Sequence, residues 1–388
     1  MKESTSIVFT GDIGFDHYMD RRWEDEHLLS LDICDFLHSA DHVVVNVEGP
    51  LSERKKSLMP NGVEKLMHTM DPGAIGFLNR IHADIWNLVN NHIMDAGEEG
   101  LRDTLKHAME NNVKTLGVGM NIEEAMKPVI LKEAGGIGIF GVGYQRACRK
   151  AEEDKAGCFS WSDLDRIRKV IDEIKSRCRW CIIVAHAGEE FTSLPSPYTR
   201  QRYLDYLDLG ADIVVAHHPH VPMNYETFQG KAIFYSLGNF VFDTDYQRSQ
   251  YNTEKGLLLR LDLNEKEFAF EPMGIKIVRG PETIEKSSPA DIFEDVREEE
   301  YELLAPLAAK MFIAATKRQQ IYMKPDKYSE ATTDEEWHEN FYEPLRSGRV
   351  PGECLDMQII VPLAEKEKEK AWEKSSLTKV KEYILAQM

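Results

Sequence analysis

DIVVAHHPHVP, residues 212–222, carries an apolar run straight into three histidines within four positions. The run Asp212–Ala216 is short and rich in β-branched residues, so it reads as a buried strand with the histidines at its carboxyl end. Only 13 of the 388 residues are histidine, so the local concentration is uneven. Side chains alternate along an extended backbone, which predicts His218 and His220 on one face and His217 on the other. Pro219 supports that reading, because the residue before a proline is biased away from helix. His218 and His220 are therefore the expected metal ligands, with His217 packing or hydrogen-bonding behind them; the bland alternative is a polar turn rich in His.

The same strand-then-polar pattern recurs along the chain. Ser6–Thr10, His42–Val47, Ile85–Val89, Lys114–Val118, Gly138–Val142, Cys181–Ala185 and Ala232–Ser236 also read as strands. Between them, Leu28–His38, Glu98–Asn111, Trp161–Ser176 and Tyr198–Leu209 have helical periodicity. Strands alternating with amphipathic helices predict an α/β fold. Gly256–Leu263 and Glu267–Val278 alternate like a hairpin that closes the sheet system. Beyond about residue 283 the texture becomes helical. A charged stretch (Asp291–Gln320) precedes a polar loop and a final Lys/Glu-rich helix from about Leu363. The run EKEKEKAWEK within that last helix reads as a solvated face. The expected organisation is one domain over residues 1–280 and a mainly helical extension over 281–388.

Composition narrows the function classes. Forty-seven basic and 66 acidic residues leave a net charge of −19, which opposes binding to nucleic acid or to an anionic membrane surface. An acidic protein still takes an anionic small molecule or polymer where metal ions supply local positive charge. The six cysteines have no framework spacing, and Cys178-x-x-Cys181 has no second pair, so free and mostly buried thiols are expected. MKESTSIVFTGD enters a strand almost at once and no run of ~18 apolar residues follows, so the chain as it stands is expected to be cytoplasmic. Envelope association stays compatible with a chain trimmed of an anchor, and the oligomeric state is not readable.

Chemistry collects at the strand ends. GDIGFDH, NVEGP, NNHIMDAG, HAGEE and HHPH each follow a strand, and open α/β sheets bind ligands outside those ends. Mixed imidazole and carboxylate donors suit manganese, zinc or iron better than magnesium or calcium. Each cluster has a plainer reading: Asp12 and the Asn46/Glu48 pair as turn formers, Asn90 and Asn91 as loop residues, His92 and His186 as satisfied edge histidines. Five such readings would have to hold together. Gly117–Gly119 and Gly135–Gly143 read as tight turns around a strand, and neither a P-loop nor a GxSxG elbow occurs.

The series GDIGFDH, NVEGPL, NNHIMDAGEEGLRDTL, GVG, HAGEEF, GADIVVAHHPHVP and YSLGNFVFD resembles the CapA, or poly-γ-glutamate capsule biosynthesis, family over roughly residues 5–245. That family is similar to the calcineurin-like metallophosphoesterases. The resemblance implies a four-layer αββα sandwich holding one or two divalent metals. It implies Asp12, Glu48, Asn91, His186, His218 and His220 as metal ligands, with His92 protonating the leaving oxygen and Asp95 orienting His92. His17, Glu190 and Asn239 are the substrate-binding candidates. One departure is plain: the phosphoesterase pattern has Asp-x-His after the first strand, and Gly14 stands at that histidine's position. The expected function is a metal-dependent hydrolase of a phosphoester or of a γ-glutamyl-type polymer. The alternative is a non-catalytic polymer-binding component of capsule synthesis or export.

Overall fold

A computed structural model describes residues 4–53, 67–144, 148–289, 293–347 and 355–365. The strands in chain order begin with β1 (Ser4–Ile13), β2 (His42–Val47), β3 (Ala83–Asn87), β4 (Lys114–Leu116), β5 (Val118–Gly119) and β6 (Val129–Leu131). Next come β7 (Ile137–Gly143), β8 (Gly157–Cys158), β9 (Trp180–His186), β10 (Ile213–His217) and β11 (Tyr225–Phe228). The last are β12 (Lys231–Phe234), β13 (Asn239–Val241), β14 (Lys255–Asn264), β15 (Phe268–Val278) and β16 (Thr283–Ser287). The helices are α1 (Leu31–His38), α2 (Ile75–Arg80), α3 (Gly97–Glu110), α4 (Ile122–Ala125), α5 (Leu164–Lys175) and α6 (Pro197–Asp208). They end with α7 (Asp245–Arg248), α8 (Glu298–Met323), α9 (Asp334–Trp337), α10 (Glu343–Arg346) and α11 (Leu355–Glu365).

Two sheets carry the fold. One has the order β16-β15-β14-β1-β2-β3-β4, with β13 also pairing β1; the other runs β11-β12-β10-β9-β7-β6. Each has a parallel centre, β1 to β4 in the first and β7, β9, β10 and β12 in the second. The β14–β15 hairpin is antiparallel, Leu259 facing Pro272, as the alternation predicts.

The layering follows from strand alternation. Ile7, Phe9, Val44 and Ile85 of the first sheet meet Ile139, Ile182, Val184 and Val215 of the second in one dry core. The opposite face of the first sheet, including Val8, Val43 and Val45, packs on Ile33, Phe77 and Leu101 of α1, α2 and α3. The opposite face of the second, including Ile183 and Val214, packs on Ile167, Ile171, Tyr203 and Tyr206 of α5 and α6. The result is helix, sheet, sheet, helix: the expected four-layer αββα sandwich.

From residue 298 onward the described residues are mainly helical. Its 26-residue helix α8 folds back onto the sandwich rather than standing apart. Arg200 of α6 makes a bidentate pair with Glu226 of β11, at 2.7 and 2.8 Å, and Tyr301 of α8 lies over that guanidinium at 4.7 Å. Tyr301 also donates to the Pro195 carbonyl at 2.9 Å. The predicted strand Lys114–Val118 is two strands, broken at Gly117 with φ +77°. Asp291, at the expected start of the charged helix, and all but the first residue of EKEKEKAWEK lie outside the described residues. The cysteines at 34, 148, 158, 178 and 181 are free, and all but Cys34 are buried. Among the described residues, no helix is long and apolar enough to cross a membrane.

Candidate metal centre

Asp12 sits where β1 is bulged. Its register to β2 slips between Phe9 and Asp12, and β13 comes alongside with Asn239 opposite Asp12. Gly11 makes that approach possible, since a Cβ there would lie 2.2 Å from the Gly238 carbonyl oxygen. Asn46, paired with Asp12 across the sheet, donates to Asp12 Oδ1 at 2.8 Å and to Glu48 Oε2 at 3.4 Å. Asn87 of β3 fixes the amide by donating to Asn46 Oδ1 at 2.8 Å. Three neighbouring parallel strands thus align one carboxylate and two amides, with Glu48 just past the end of β2.

The second sheet supplies the imidazoles. His186 and His217 are paired at the ends of β9 and β10. His186 donates through Nε2 to Asn91 Oδ1 at 2.8 Å, joining the two sheets. His217 turns away and donates to the Thr10 carbonyl at 2.8 Å, the supporting role expected of it. The extended backbone predicted for His218 and His220 is not what forms. Strand β10 stops at His217, and His218 and His220 have φ of +99° and +60°, in the left-handed region. The cause is tertiary: the Phe191 amide, from the loop after β9, donates to the Pro219 carbonyl at 2.8 Å and holds the chain in a turn. The two rings still approach each other, with centroids 6.2 Å apart.

The convergence is tight. Asp12, Glu48 and His186 each present a ligand atom, all within 4.8 Å of one another. His220 Nδ1 lies 3.2 Å from Asp12 Oδ2, and its Nε2 lies 3.6 Å from Glu48 Oε1. The His218 ring is 4.9 Å from that of His186. Glu48 Oε1, Asp12 Oδ2 and His218 Nδ1 are buried without a well-aligned hydrogen bond among the described residues. An unsatisfied buried polar atom costs about 1–3 kcal/mol, and a divalent cation would satisfy all three. The residues present fit a metal.

Electrostatics agree with the geometry. Burial pushes the Glu48 carboxyl well above its usual range, and the Asp12 charge adds to the effect. Burial acts on Asp12 in the same sense, but His220, His217 and His218 outweigh it and hold that carboxyl below its ordinary value. His218 is driven down to about 3 by burial and by His220. Burial opposes charge on His220 too, yet Glu48 and Asp12 raise it to about 10. His220 is thus the most basic imidazole of the centre, and it faces the carboxyl groups of both Asp12 and Glu48.

A second network adjoins the first. His92 Nδ1 donates to Asp95 Oδ2 at 2.8 Å, and its Nε2 receives the Asn91 amide at 2.9 Å. Burial and the neighbouring His68 lower the His92 pKa. The same Asp95 oxygen accepts the His68 backbone N–H at 2.7 Å. His68 in turn meets Asp16 at 2.6 Å, and its ring stands edge-on to His92 at 4.3 Å. His17 completes a set with Asp16 and His68 whose ligand atoms also lie within 4.8 Å of one another. Sequence reasoning misses His68, because its partner is 52 residues away and no motif surrounds it.

The remaining candidates take different positions. His17 is exposed at the rim, 3.9 Å from Asp16. Glu190 accepts from Tyr246 Oη at 3.2 Å and from Gln319 of α8 at 3.4 Å. Its neighbour Glu189 caps the start of α6 instead, taking the Ser196 amide and the Thr199 hydroxyl, each at 2.9 Å. Asn239 is fully buried: its Oδ1 faces His220 Nδ1 at 2.9 Å and its amide binds Gln247 and the Thr253 carbonyl. That places Asn239 behind His220, on the protein side.

Position 14 explains itself. A Cβ on Gly14 would fall 2.3 Å from the ring of Phe242, and that ring stacks on His220 at 5.0 Å with 7° between planes. Phe242 occupies the space a histidine at 14 would need.

Layers and strand-end donors together define an αββα protein with a candidate metal centre at the carboxyl ends of its parallel strands. The model of the bacterial capsule synthesis protein PGA_cap matches residues 6–244, and the chain belongs to that family. It is 30% identical over 251 residues to the PGA biosynthesis protein CapA of Bacillus subtilis (strain 168), covering 63% of this chain and 65% of that protein. It is 30% identical over 226 residues to the capsule biosynthesis protein CapA of Bacillus anthracis, covering 56% of this chain and 54% of that one. The chain thus aligns with less than two thirds of each relative's length. Among solved structures, a hypothetical protein from Thermus thermophilus aligns at a TM-score of 0.42 and 14% identity, over 70% of this chain and 99% of that one.

Proposed function

We propose that this protein is a metal-dependent hydrolase acting on a phosphoester or on a γ-glutamyl-type polymer in capsule or poly-γ-glutamate metabolism. The observation that carries the reading is the buried meeting of Asp12, Glu48, His186, His218 and His220, in which Asp12 Oδ2, Glu48 Oε1 and His218 Nδ1 lack a well-aligned hydrogen bond among the described residues. Asp12, Glu48, Asn91, His186, His218 and His220 would hold one or two divalent ions, of manganese, zinc or iron. Bound there, such ions lower the pKa of water and polarise the oxygen under attack.

The chain's own residues do the rest. Asp95 accepts from His92 Nδ1 and fixes the ring, so that Nε2, once it exchanges the Asn91 amide for a proton taken from the attacking water, hands that proton to the departing oxygen. Asn46 and Asn239 orient Asp12 and His220 from behind. Phe191 and Phe242 flank His220 and keep water from one side of the centre. The names of the relatives support a polyglutamate or capsule substrate over a nucleic acid, as does the net charge of −19.

A second reading, a polymer-binding component without turnover, is favoured by one observation: Phe242 fills the space of the missing histidine. Elemental analysis of purified protein, followed by a screen of phosphodiesters and γ-glutamyl peptides, separates the two. Stoichiometric metal with turnover supports the hydrolase; no metal after loading overturns it. Asp12→Asn should abolish both metal content and turnover.

A further inference from the structure

The donor excess at the edge of α8 has no role in the centre described above. Arg318 of α8 donates through Nε to Gln250 Oε1 at 2.9 Å. Its Nη2 and the Gln250 Nε2 are both buried without an acceptor among the described residues. Gln250 is only 3% exposed, so its free N–H groups have no route to bulk water. Two neighbouring donors and no acceptor describe a small site for an anion.

The surroundings say which arginine at this rim is uncommitted. Arg248 is neutralised by Asp243 and Glu282, each at 2.6 Å, and Arg279 by Asp243 at 3.1 Å. Arg318 has no carboxylate within 4 Å among the described residues; Gln250 and the ring of Tyr251 at 4.6 Å lie against it, and Glu330 acts on its charge from farther off. Tyr251 is 51% exposed, so the side of Arg318 that it covers faces solvent.

The site connects to the candidate centre. Aromatic rings run from His220 to Phe191 (5.9 Å), to Tyr246 (5.3 Å), and to Tyr322 of α8 (5.4 Å). Gln319, next to Arg318, reaches Glu190 beside that path. In a protein of net charge −19, a polyanion needs a local cation to be retained. A guanidinium beside an amide N–H matches a carboxylate well.

We propose that Arg318 and Gln250 form a carboxylate-binding subsite through which α8 holds an acidic polymer against the metal centre. The proposal rests on the proposed function for the polymer and for the direction in which it runs; the unmatched donors of Arg318 and Gln250 stand apart from that reading. Arg318 and Gln250 both lie outside the matched residues 6–244, so the subsite belongs to the part of the chain that the family does not define.

The test is titration of a γ-linked glutamate oligomer, and of the same oligomer with its carboxylates methyl-esterified, into the full chain. Wild type should bind the acid form; Arg318→Met and Gln250→Glu should each weaken it by at least about tenfold, the loss expected for a charged hydrogen bond. Gln250→Glu supplies an internal carboxylate to Arg318, so it should block the subsite while leaving the melting temperature unchanged or higher. The ester should bind wild type and variants alike. Equal binding of the acid by wild type and both variants would mean that water alone satisfies these donors, and the subsite falls. Absence of binding by wild type also overturns it, while turnover of a phosphodiester in the same preparation leaves the hydrolase standing. Arg318-dependent binding without turnover on any substrate upholds the subsite and sinks the hydrolase.

Discussion

The strand-end centre and the face of α8 are built on opposite terms. At the centre, acceptors are left over: Asp12 and Glu48 are fully buried, and Asp12 Oδ2 and Glu48 Oε1 lack a well-aligned hydrogen bond among the described residues although His220 and the Asn46 amide stand close. At α8, donors outnumber acceptors, with Arg318 Nη2 and Gln250 Nε2 both unmatched. The lesson is that each region is complete only with a partner of the opposite sign: a cation for one, an anion for the other. On the two proposals made above, a polyanionic substrate bridging a metal and a guanidinium would satisfy both.

The sharpest test of the centre is His92→Ala. It should lower turnover by about 10³-fold, within the range for loss of a general acid, while metal content stays near normal. An equal fall in bound metal would make His92 a ligand. The anchoring of α8 is tested next by Glu226→Gln, which leaves Arg200 buried without its carboxylate. Chemical denaturation should then show a loss of about 3 kcal/mol, since removing one partner of a buried pair strands the other charge. If stability is unchanged, the Arg200–Tyr301 contact does not tie the helix down.

Gly14→Ala should cost about 2 kcal/mol by crowding Phe242, as overpacking does, and Phe242→Leu in the same chain should recover most of it. A neutral Gly14→Ala would show that the ring moves freely. The smallest effect is expected from Asn239→Ala, which removes the support of His220 and should weaken metal affinity about tenfold, the low end for an outer partner of a ligand. Competition with a chelator measures it, and no change would return Asn239 to the substrate side.

Much of this is legible in the sequence, and what divides success from failure is whether the cause is local. Parallel central strands are apolar on both faces, so their runs and their polar ends stand out; His42–Val47 is predicted to the residue. The donors at those ends are readable because each follows its strand directly. His218 and His220 are selected by an extended backbone that does not occur, because the hydrogen bond from Phe191 to Pro219 comes from another loop. Strand β13, only three residues long, escapes the pattern, since its pairing with β1 depends on the close contact at Gly11. His68 and Arg318 share one difficulty: each draws its meaning from partners distant in the chain.

The contact between Gly14 and Phe242 makes two remote positions a single choice. With Phe242 placed as it is here, any side chain at 14 needs that ring to shift or to be replaced by something smaller. Restoring the imidazole is thus a two-step change whose first step, taken alone, is strained. The pair acts as a ratchet on the composition of the centre, and reading both positions together in any relative says which state its site is in.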